Sequence, residues 1–426
     1  MINDYKTFKK TPELLEAETD SIDAFTPTDD QTSEPTDFQT PAEISAADDV
    51  QTTPMNEAVK IEPKKFDVPA NFKKRLFSLP WPPTKKQVII FLVIILVIGG
   101  GAGYWFTTHH KAKTIVVTKK VSVLNKVIVP VTVPSTLSGL LVNPSVNQGP
   151  VTGVMIENSQ DARPQSGLSQ AGVVFEAIAE GGITRFLTLF QDTAPDNVGP
   201  IRSARPYYVQ WALGFDAGYA HVGGSPEAIA DIRDWGVRDL DQFYNSGSYH
   251  RVSTRAAPHN VYTAIATLNQ LEASKGYASS NFTGFGRKAE APSKVPTVNT
   301  INFSISGPLY NVAYTYSAVA NSYLRSEGGE AHIDANTNTQ ISPKVVIGLV
   351  MPYSLESDGQ HSVYSTIGNG PAYFFQDGML IIGQWSKSSG TSQFVFTDST
   401  GAVVKLNPGQ TWITALANTT DITYAP

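Results

Sequence analysis

Nineteen consecutive residues without a charge, Val88–Phe106 (VIIFLVIILVIGGGAGYWF), constrain this chain more than any other segment. As a helix they extend about 28 Å, close to the hydrocarbon thickness of a bilayer. Trp81 on one side and Tyr104 and Trp105 on the other suit interfacial aromatic positions. The run predicts a transmembrane helix over 87–106, so the membrane is an expected partner. A cleaved signal peptide does not fit, because 86 residues precede the helix. A buried core helix is the competing reading, and the absence of any interrupting charge argues against it. Lys73, Lys74, Arg75, Lys85 and Lys86 before the span match Lys111, Lys113, Lys119, Lys120 and Lys126 after it, a tie under the positive-inside rule. Lys85 and Lys86 lie nearest the apolar run. They favour a cytoplasmic N-terminus and an extracytoplasmic body.

Composition narrows what that body can be. The 426 residues include no cysteine, which excludes disulfides, thiolate chemistry and Cys-ligated metals. It also excludes an acylated cysteine as anchor. A formal net charge of −6 argues against a nucleic-acid partner. Residues 1–86 carry 16 acidic and 11 basic side chains in a Thr/Pro/Asp/Gln-rich background without periodicity, and read as a disordered tail. Residues 107–134 alternate Val and Ile with Thr and Lys. Pro130 and Pro134 favour an extracytoplasmic stalk over a central strand.

The basic residues are unevenly divided. Residues 135–286 hold eight arginines and one lysine; the rest of the chain holds three arginines and 20 lysines. Arginine offers a planar fork suited to carboxylate and phosphate. The same segment carries 13 acidic side chains, so a broad cationic surface is excluded. What remains is a cleft with a few oriented arginines, or internal ion pairs.

Local patterns place these side chains. Val151–Glu157 reads as a buried strand, and 172–180 with 183–190 as a hairpin turning at Gly181-Gly182. A regular register puts Ile178 opposite Arg185, and Glu176 and Glu180 diagonal to it. GPIRSARP (199–206) leads Arg202 and Arg205 into a helix near 207–213. AGYAHV (217–222) is a strand, Gly223-Gly224 a turn, and Ser225-Pro226 a helix start. Strand, glycine turn and helix can leave amides open to an anion, so Gly223, Gly224 and Ser225 are candidate ligand contacts. His221 ends that strand, and His259 with Asn260 precedes a helix over about 263–275. Both histidines suit acid–base work, as do Glu176 and Glu180; structural hydrogen bonding is the competing role. No HExxH, GxSxG or His-x-His spacing occurs, so no metal or cofactor is assigned. His332 and His361 stand alone in the sequence and receive no role.

Several long motifs in order, ENSQDARPQSGLSQAGVVFEAIAEGGITRFLTLF (157–190), GPIRSARPYY (199–208), HVGGSPEA (221–228) and APHNVY (257–262), resemble the YerB-like family of bacterial exported proteins. The resemblance runs from about Leu137 to the C-terminus, where NGPAYFFQDG, GQWSKSS and LNPGQTWI continue it. It implies an α+β fold with a mixed α/β N-terminal exported domain and a separate β-rich C-terminal domain. It implies no activity. Many relatives are lipoproteins, and an uncleaved helix here takes the place of their acylated cysteine.

The expected organisation is tail (1–86), transmembrane helix (87–106), stalk (107–134), Arg-rich domain (135–286), linker (287–297) and β-rich domain (298–426). In the last, 371–385 is a hairpin at Asp377-Gly378, and 344–351, 393–396, 402–406 and 411–416 are strands. Trp385 and Trp412 read as core rather than sugar platforms. The function expected first is binding of an anionic envelope ligand, whether glycan, lipid-linked precursor or carboxylated peptide. Its contacts would be Arg163, Arg185, Arg202, Arg205, the Gly223–Ser225 turn, His221, His259 and Asn260. The alternatives are an envelope hydrolase or phosphotransferase using Glu and His, and a structural partner in an envelope complex.

Overall fold

The computed structural model describes residues 84–109 and 131–426, which fall into two units. The expected tail and stalk therefore lie mostly outside the described residues. The first unit contains α1 (Lys85–His109), long and apolar enough to cross a membrane, with exposed side chains from Lys85 to Thr108. Lys85 and Lys86 are helical and belong to this element rather than to the tail.

The second unit opens with a short antiparallel pair, Val133–Pro134 with Leu141–Val142, and continues with β1 (Thr152–Glu157), β2 (Val173–Glu180) and β3 (Ile183–Phe190). Next come α2 (Pro206–Leu213), β4 (Gly218–Ala220), α3 (Pro226–Asp234), β5 (Arg238–Asp239) and α4 (Ile265–Ser274). Beyond them lie β6 (Thr300–Phe303), β7 (Val312–Ser317), β8 (Ser322–Glu327), β9 (Glu330–Ala331) and β10 (Val345–Val350). The chain closes with β11 (Gly368–Gln376), β12 (Met379–Lys387), β13 (Val395–Asp398), β14 (Thr411–Leu416) and β15 (Ile422–Ala425). Local chemistry explains the boundaries. Ser225 Oγ accepts from the Ala228 amide at 3.2 Å and Pro226 fills the first position of α3. Asp377 and Gly378 take positive φ at the tight turn between β11 and β12.

The two sequence regions share one ten-stranded sheet, ordered β13-β12-β11-β10-β14-β2-β3-β1-β4-β5. At the seam β14 runs parallel to both neighbours, pairing Val345–Val350 on one side and Val173–Glu176 on the other. Every residue of β1 and β14 is buried, as expected of strands covered on both faces. The expected linker packs in as well: the Arg287 guanidinium donates to the carbonyl oxygens of Leu137 (2.5 Å) and Asn407 (2.9 Å). Burial lowers its pKa to about 10. A second sheet, β9-β8-β7-β6-β15, comes from the β-rich region. The strand expected over 402–406 is reduced to single bridges, Thr397 with Val403 and Arg287 with Leu406. Asp398 Oδ1 accepts the amides of Thr400 and Ala402 there, curling the chain into a turn.

The β2–β3 register departs from the regular hairpin. Glu180 faces Ile183, but a bulge between Ile178 and Glu180 shifts the earlier pairs by one residue. Arg185 therefore faces Ala177 rather than Ile178, and Glu176 faces Phe186 on the opposite side of the sheet. The face carrying Ala177 meets α2: Tyr208 Oη accepts from the Ala177 amide at 3.0 Å, and Tyr207 Oη donates to the Ile178 carbonyl at 2.6 Å. Phe175 stacks on Trp211 there.

The Glu176 face meets the second sheet. Both Glu176 oxygens accept from Arg325 Nη2, at 2.8 and 2.9 Å, and Trp412 Nε1 donates to Oε2 at 2.9 Å. Arg325 has no solvent exposure and lies over the rings of Trp412, Phe186 and Tyr314. Thr184 Oγ1 donates to Glu176 (3.4 Å) and accepts from Asn158 Nδ2 (2.6 Å), which also reaches Glu327 (2.5 Å). His332 joins from the side, Nε2 to Gln165 Oε1 at 2.9 Å, so it is no isolated histidine. Trp385 and Trp412 are buried, as expected of core residues.

Two stability predictions follow from these burials. Arg325→Met leaves Glu176 and Glu327 buried without their shared counter-charge, and should lower unfolding free energy by about 3–5 kcal/mol. Chemical denaturation checks this, and pairing it with Glu176→Leu should recover part of the loss. On α4, Glu272 accepts from Thr152 Oγ1 at 2.7 Å, and burial pushes its carboxyl up from 4.5 to about 7. The folded state then holds a proton that the unfolded chain releases, so this stabilisation is full below about pH 4.5 and lost as pH rises through about 7. Glu272→Gln should flatten the wild-type decline over that window, by up to about 3 kcal/mol, in denaturation series at stepped pH.

Candidate functional site

Main-chain pairing brings three distant segments together at the end of β1. The Glu157 amide donates to the Pro200 carbonyl (2.9 Å), the Arg202 amide to Met155 (2.9 Å), and the Ile201 amide to Val261 (2.8 Å). The 199–202 strip is thereby held between β1 and the segment carrying His259. Glu157 is the hub. Its side chain is 4% exposed and accepts from His259 Nδ1, 3.0 Å from both oxygens, and from Ser159 Oγ at 2.8 Å; Arg202 is its ion-pair partner, with Nε 3.3 Å away but not hydrogen-bonded. Among the described residues Arg202 has no other ion-pair partner.

His259 opens onto a cleft of about 610 Å³ lined by Asp161, Arg163, Thr254, Arg255, Ala256, Ala257 and His259. Arg255 donates through Nη1 to the Asp161 carbonyl and through Nη2 to the Pro164 carbonyl at 2.7 Å. No carboxylate among the described residues lies within ion-pair distance of it, so its charge is oriented but not neutralised. Arg163 lies on the cleft's other side. Its Nη2 meets Glu327 Oε1 (3.2 Å), the Leu309 carbonyl (3.0 Å) and the Asn158 carbonyl (3.2 Å), and its guanidinium covers the Tyr310 ring. The cleft thus offers one unpaired guanidinium, one anchored guanidinium and an imidazole, which suits a carboxylate or phosphate oxygen.

The imidazole has a defined chemistry. Glu157 accepts at Nδ1, so the neutral ring carries its proton there and presents the Nε2 lone pair. Asp161 Oδ2 is 3.9 Å from Nε2. Ser159 lies 3.4 Å from Nδ1, the same nitrogen that Glu157 occupies, and its hydroxyl is committed to Glu157. This is a carboxylate–histidine dyad and not a serine triad, which needs the hydroxyl at the opposite ring nitrogen.

The other sequence candidates fall elsewhere. Arg185 and Arg205 share the two oxygens of Glu180, half-exposed at 31%, and donate their remaining Nη1 to the carbonyls of Ser203 and Ala204. Burial, then the charge of Arg205, lowers the Arg185 pKa. Glu176 belongs to the Arg325 pair, so the expected Glu–Arg–Glu patch is divided between the two faces of the sheet. His221 is buried with Nδ1 at the Gly223 carbonyl (2.8 Å) and Nε2 at Asp239 Oδ1 (3.1 Å), a bracing role. At the glycine turn the Gly223 amide is taken by Asp241 Oδ1 (3.0 Å) and the Ser225 amide by the Ala204 carbonyl (3.3 Å). The carboxylate at the Gly223 amide is thus supplied by the protein itself, and Gly224 bridges to Ala204 beside it. Asn260 accepts from Arg251 at 2.6 Å and braces the strip through the Arg255 carbonyl.

Of the named set, the structure gathers Arg163, Arg202 and His259. Sequence reasoning missed Glu157, Ser159, Asp161 and Arg255. The run of polar residues closing a buried strand, ENSQDAR, is the signal that pointed to the first three. His361 pairs with Asp358, and Glu356 joins them within 4.8 Å on an exposed turn.

The described geometry agrees with known proteins. Residues 137–278 match the N-terminal domain, and 300–413 the C-terminal domain, of the protein of unknown function DUF3048. A curated relative from Bacillus subtilis (strain 168), named "Putative lipoprotein YerB", is 31% identical over 282 residues, 65% of this chain and 84% of the relative. The crystal structure of the Bacillus subtilis YerB protein superposes with a TM-score of 0.63 at 28% identity, covering 69% of this chain and all of that one. The two-part sequence reading and the shared fold agree, and this chain belongs to the DUF3048 family, a YerB-like protein.

Proposed function

We propose that this protein is anchored in the membrane by α1 and holds its YerB-like body outside the cytoplasm, where the cleft beside His259 binds an anionic envelope ligand. The ligand class is a carboxylate or phosphate borne by a glycan, a lipid-linked precursor or a peptide. Arg255 carries this reading: its guanidinium is fixed by two carbonyls and lines the cleft, and among the described residues no carboxylate lies within ion-pair distance of it. Arg163 supplies a further guanidinium on the same walls, and the His259 Nε2 lone pair can accept from a ligand hydroxyl. The anchor reading rests on the charge-free span, on the absence of cysteine, and on a relative whose name describes a lipoprotein. A helix here would do what a lipid chain does there.

Binding is measured with full-length protein in nanodiscs against inorganic phosphate, phosphorylated glycans and carboxylated peptides. Arg255→Ala should weaken the best ligand about 10-fold or more. Arg255→Lys should lose nearly as much, because an ammonium cannot keep both carbonyl contacts and still present a fork. Equal affinity in all three proteins removes the cleft from the function. Protease treatment of intact cells should cut the body and spare residues 1–86; the reverse pattern inverts the topology.

A second reading, a hydrolase or phosphotransferase of such ligands, is favoured by the Glu157–His259 dyad rather than by Glu176, Glu180 or His221, which are engaged elsewhere. His259 Nε2 would accept the proton of the attacking water or hydroxyl. Turnover abolished by His259→Gln with binding retained supports it, and binding without turnover in the wild type retires it.

A further inference from the structure

A second cleft, of about 710 Å³, lies where the β12–β13 loop meets the segment after α4. Lys387, the last residue of β12, lines it and is 2% exposed. Its Nζ donates to the Gly390 carbonyl at 2.8 Å and to the Ser392 carbonyl, and faces the Phe394 ring at 6.0 Å. Those oxygens orient the ammonium without neutralising it, and no carboxylate among the described residues lies within ion-pair distance. A buried ammonium without a counter-ion either sheds its proton or recruits an anion. The loop staple accounts for two of the three N–H groups and leaves the charge unanswered.

The rest of the lining has a consistent character. Asn281, Asn369, Ser388 and Thr391 bring amides and hydroxyls, and the Phe282 and Phe394 rings add apolar faces. Gln393 accepts the amides of Thr283 (3.2 Å) and Gly284 (3.0 Å) through Oε1, while its Nε2 is buried without a partner. Lys387 is the one titratable side chain among the lining residues. Alternating donors and acceptors beside aromatic faces match a polyol, and a single unpaired ammonium matches one carboxylate.

We propose that this cleft is a separate ligand site that takes a carboxylate-bearing saccharide, with the carboxylate against Lys387 Nζ and the hydroxyls against the amide and hydroxyl wall. It shares no residue with the Arg255 cleft and does not depend on the ligand bound there.

Full-length protein in nanodiscs is titrated with D-glucuronate and with D-glucose by calorimetry and ligand-observed NMR. Glucuronate should bind at least about 10-fold tighter than glucose. Arg255→Ala silences the other carboxylate-binding cleft, and in that background Lys387→Met should remove the preference. Because Lys387 also holds its loop, the wild type supplies an independent readout. Burial lowers the Lys387 pKa to about 8, so glucuronate affinity should fall as pH rises past that value, where arginine-held anions stay bound. Equal affinity for the two sugars, no binding of either, or a flat pH profile overturns the proposal.

Discussion

The contact on which the rest of this body depends is the pair of Glu176 and Arg325, neither exposed to solvent. Burial by itself would lower the Arg325 pKa; Glu176, Tyr314 and Glu327 together outweigh that and hold the guanidinium above its ordinary value. Two charges withdrawn from water stay together only where geometry is good and remaining valences are met. Glu176 meets that condition with Trp412 Nε1 and Thr184 Oγ1 as further donors; Arg325 meets it only in part, since its Nε and Nη1 are buried among three aromatic faces without a hydrogen-bond partner. Since Glu176 sits on the large sheet and Arg325 on the small one, the pair fixes how the two sheets lie on each other. Apolar contacts alone would tolerate sliding; a buried ion pair tolerates very little.

The same pair reaches the cleft by contiguous hydrogen bonds. Thr184 links Glu176 to Asn158, Asn158 links onward to Glu327, and Glu327 holds Arg163 at the cleft wall. Arg163 returns to Asn158 through Nε at 3.1 Å, closing the loop. The wall is therefore an extension of the core and not a mobile rim. This is the arrangement a binding site needs if its donors are to be in place before the ligand arrives.

Much of the fold was legible in the sequence because its causes are local. Gly-Gly and Asp-Gly turns, the Ser225-Pro226 helix start and the apolar runs of β1, β2 and β3 all act within a few residues. The failures have non-local causes. No residue near Ile178 announces the bulge, yet it moves Glu176 to the other face of the sheet and undoes the expected charge patch. The parallel pairing of β14 with β2 joins residues more than 200 positions apart, which no turn signal encodes. The arginine count also misled. It drew attention to 135–286, while the guanidinium buried most completely, Arg325, lies in the lysine-rich remainder. The glycine turn was expected to leave amides open to a ligand anion, but the sequence could not show that Asp241 takes the Gly223 amide. Arg255 was passed over because its significance is that no carboxylate among the described residues pairs with it, which depends on the folded arrangement.

The position of β14 has a consequence for how the chain is made. The strand is synthesised more than 200 residues after β2, yet it occupies the middle of the sheet, with β10 on one flank and β2 on the other. Until residues 411–416 emerge, β2 presents an open edge and the first half of the body has no way to close. The vectorial order of synthesis and the spatial order of the sheet are thus opposed. Closing the sheet therefore waits on long-range pairing of the kind that folds slowly, and until it forms β2 offers its free edge to any other strand.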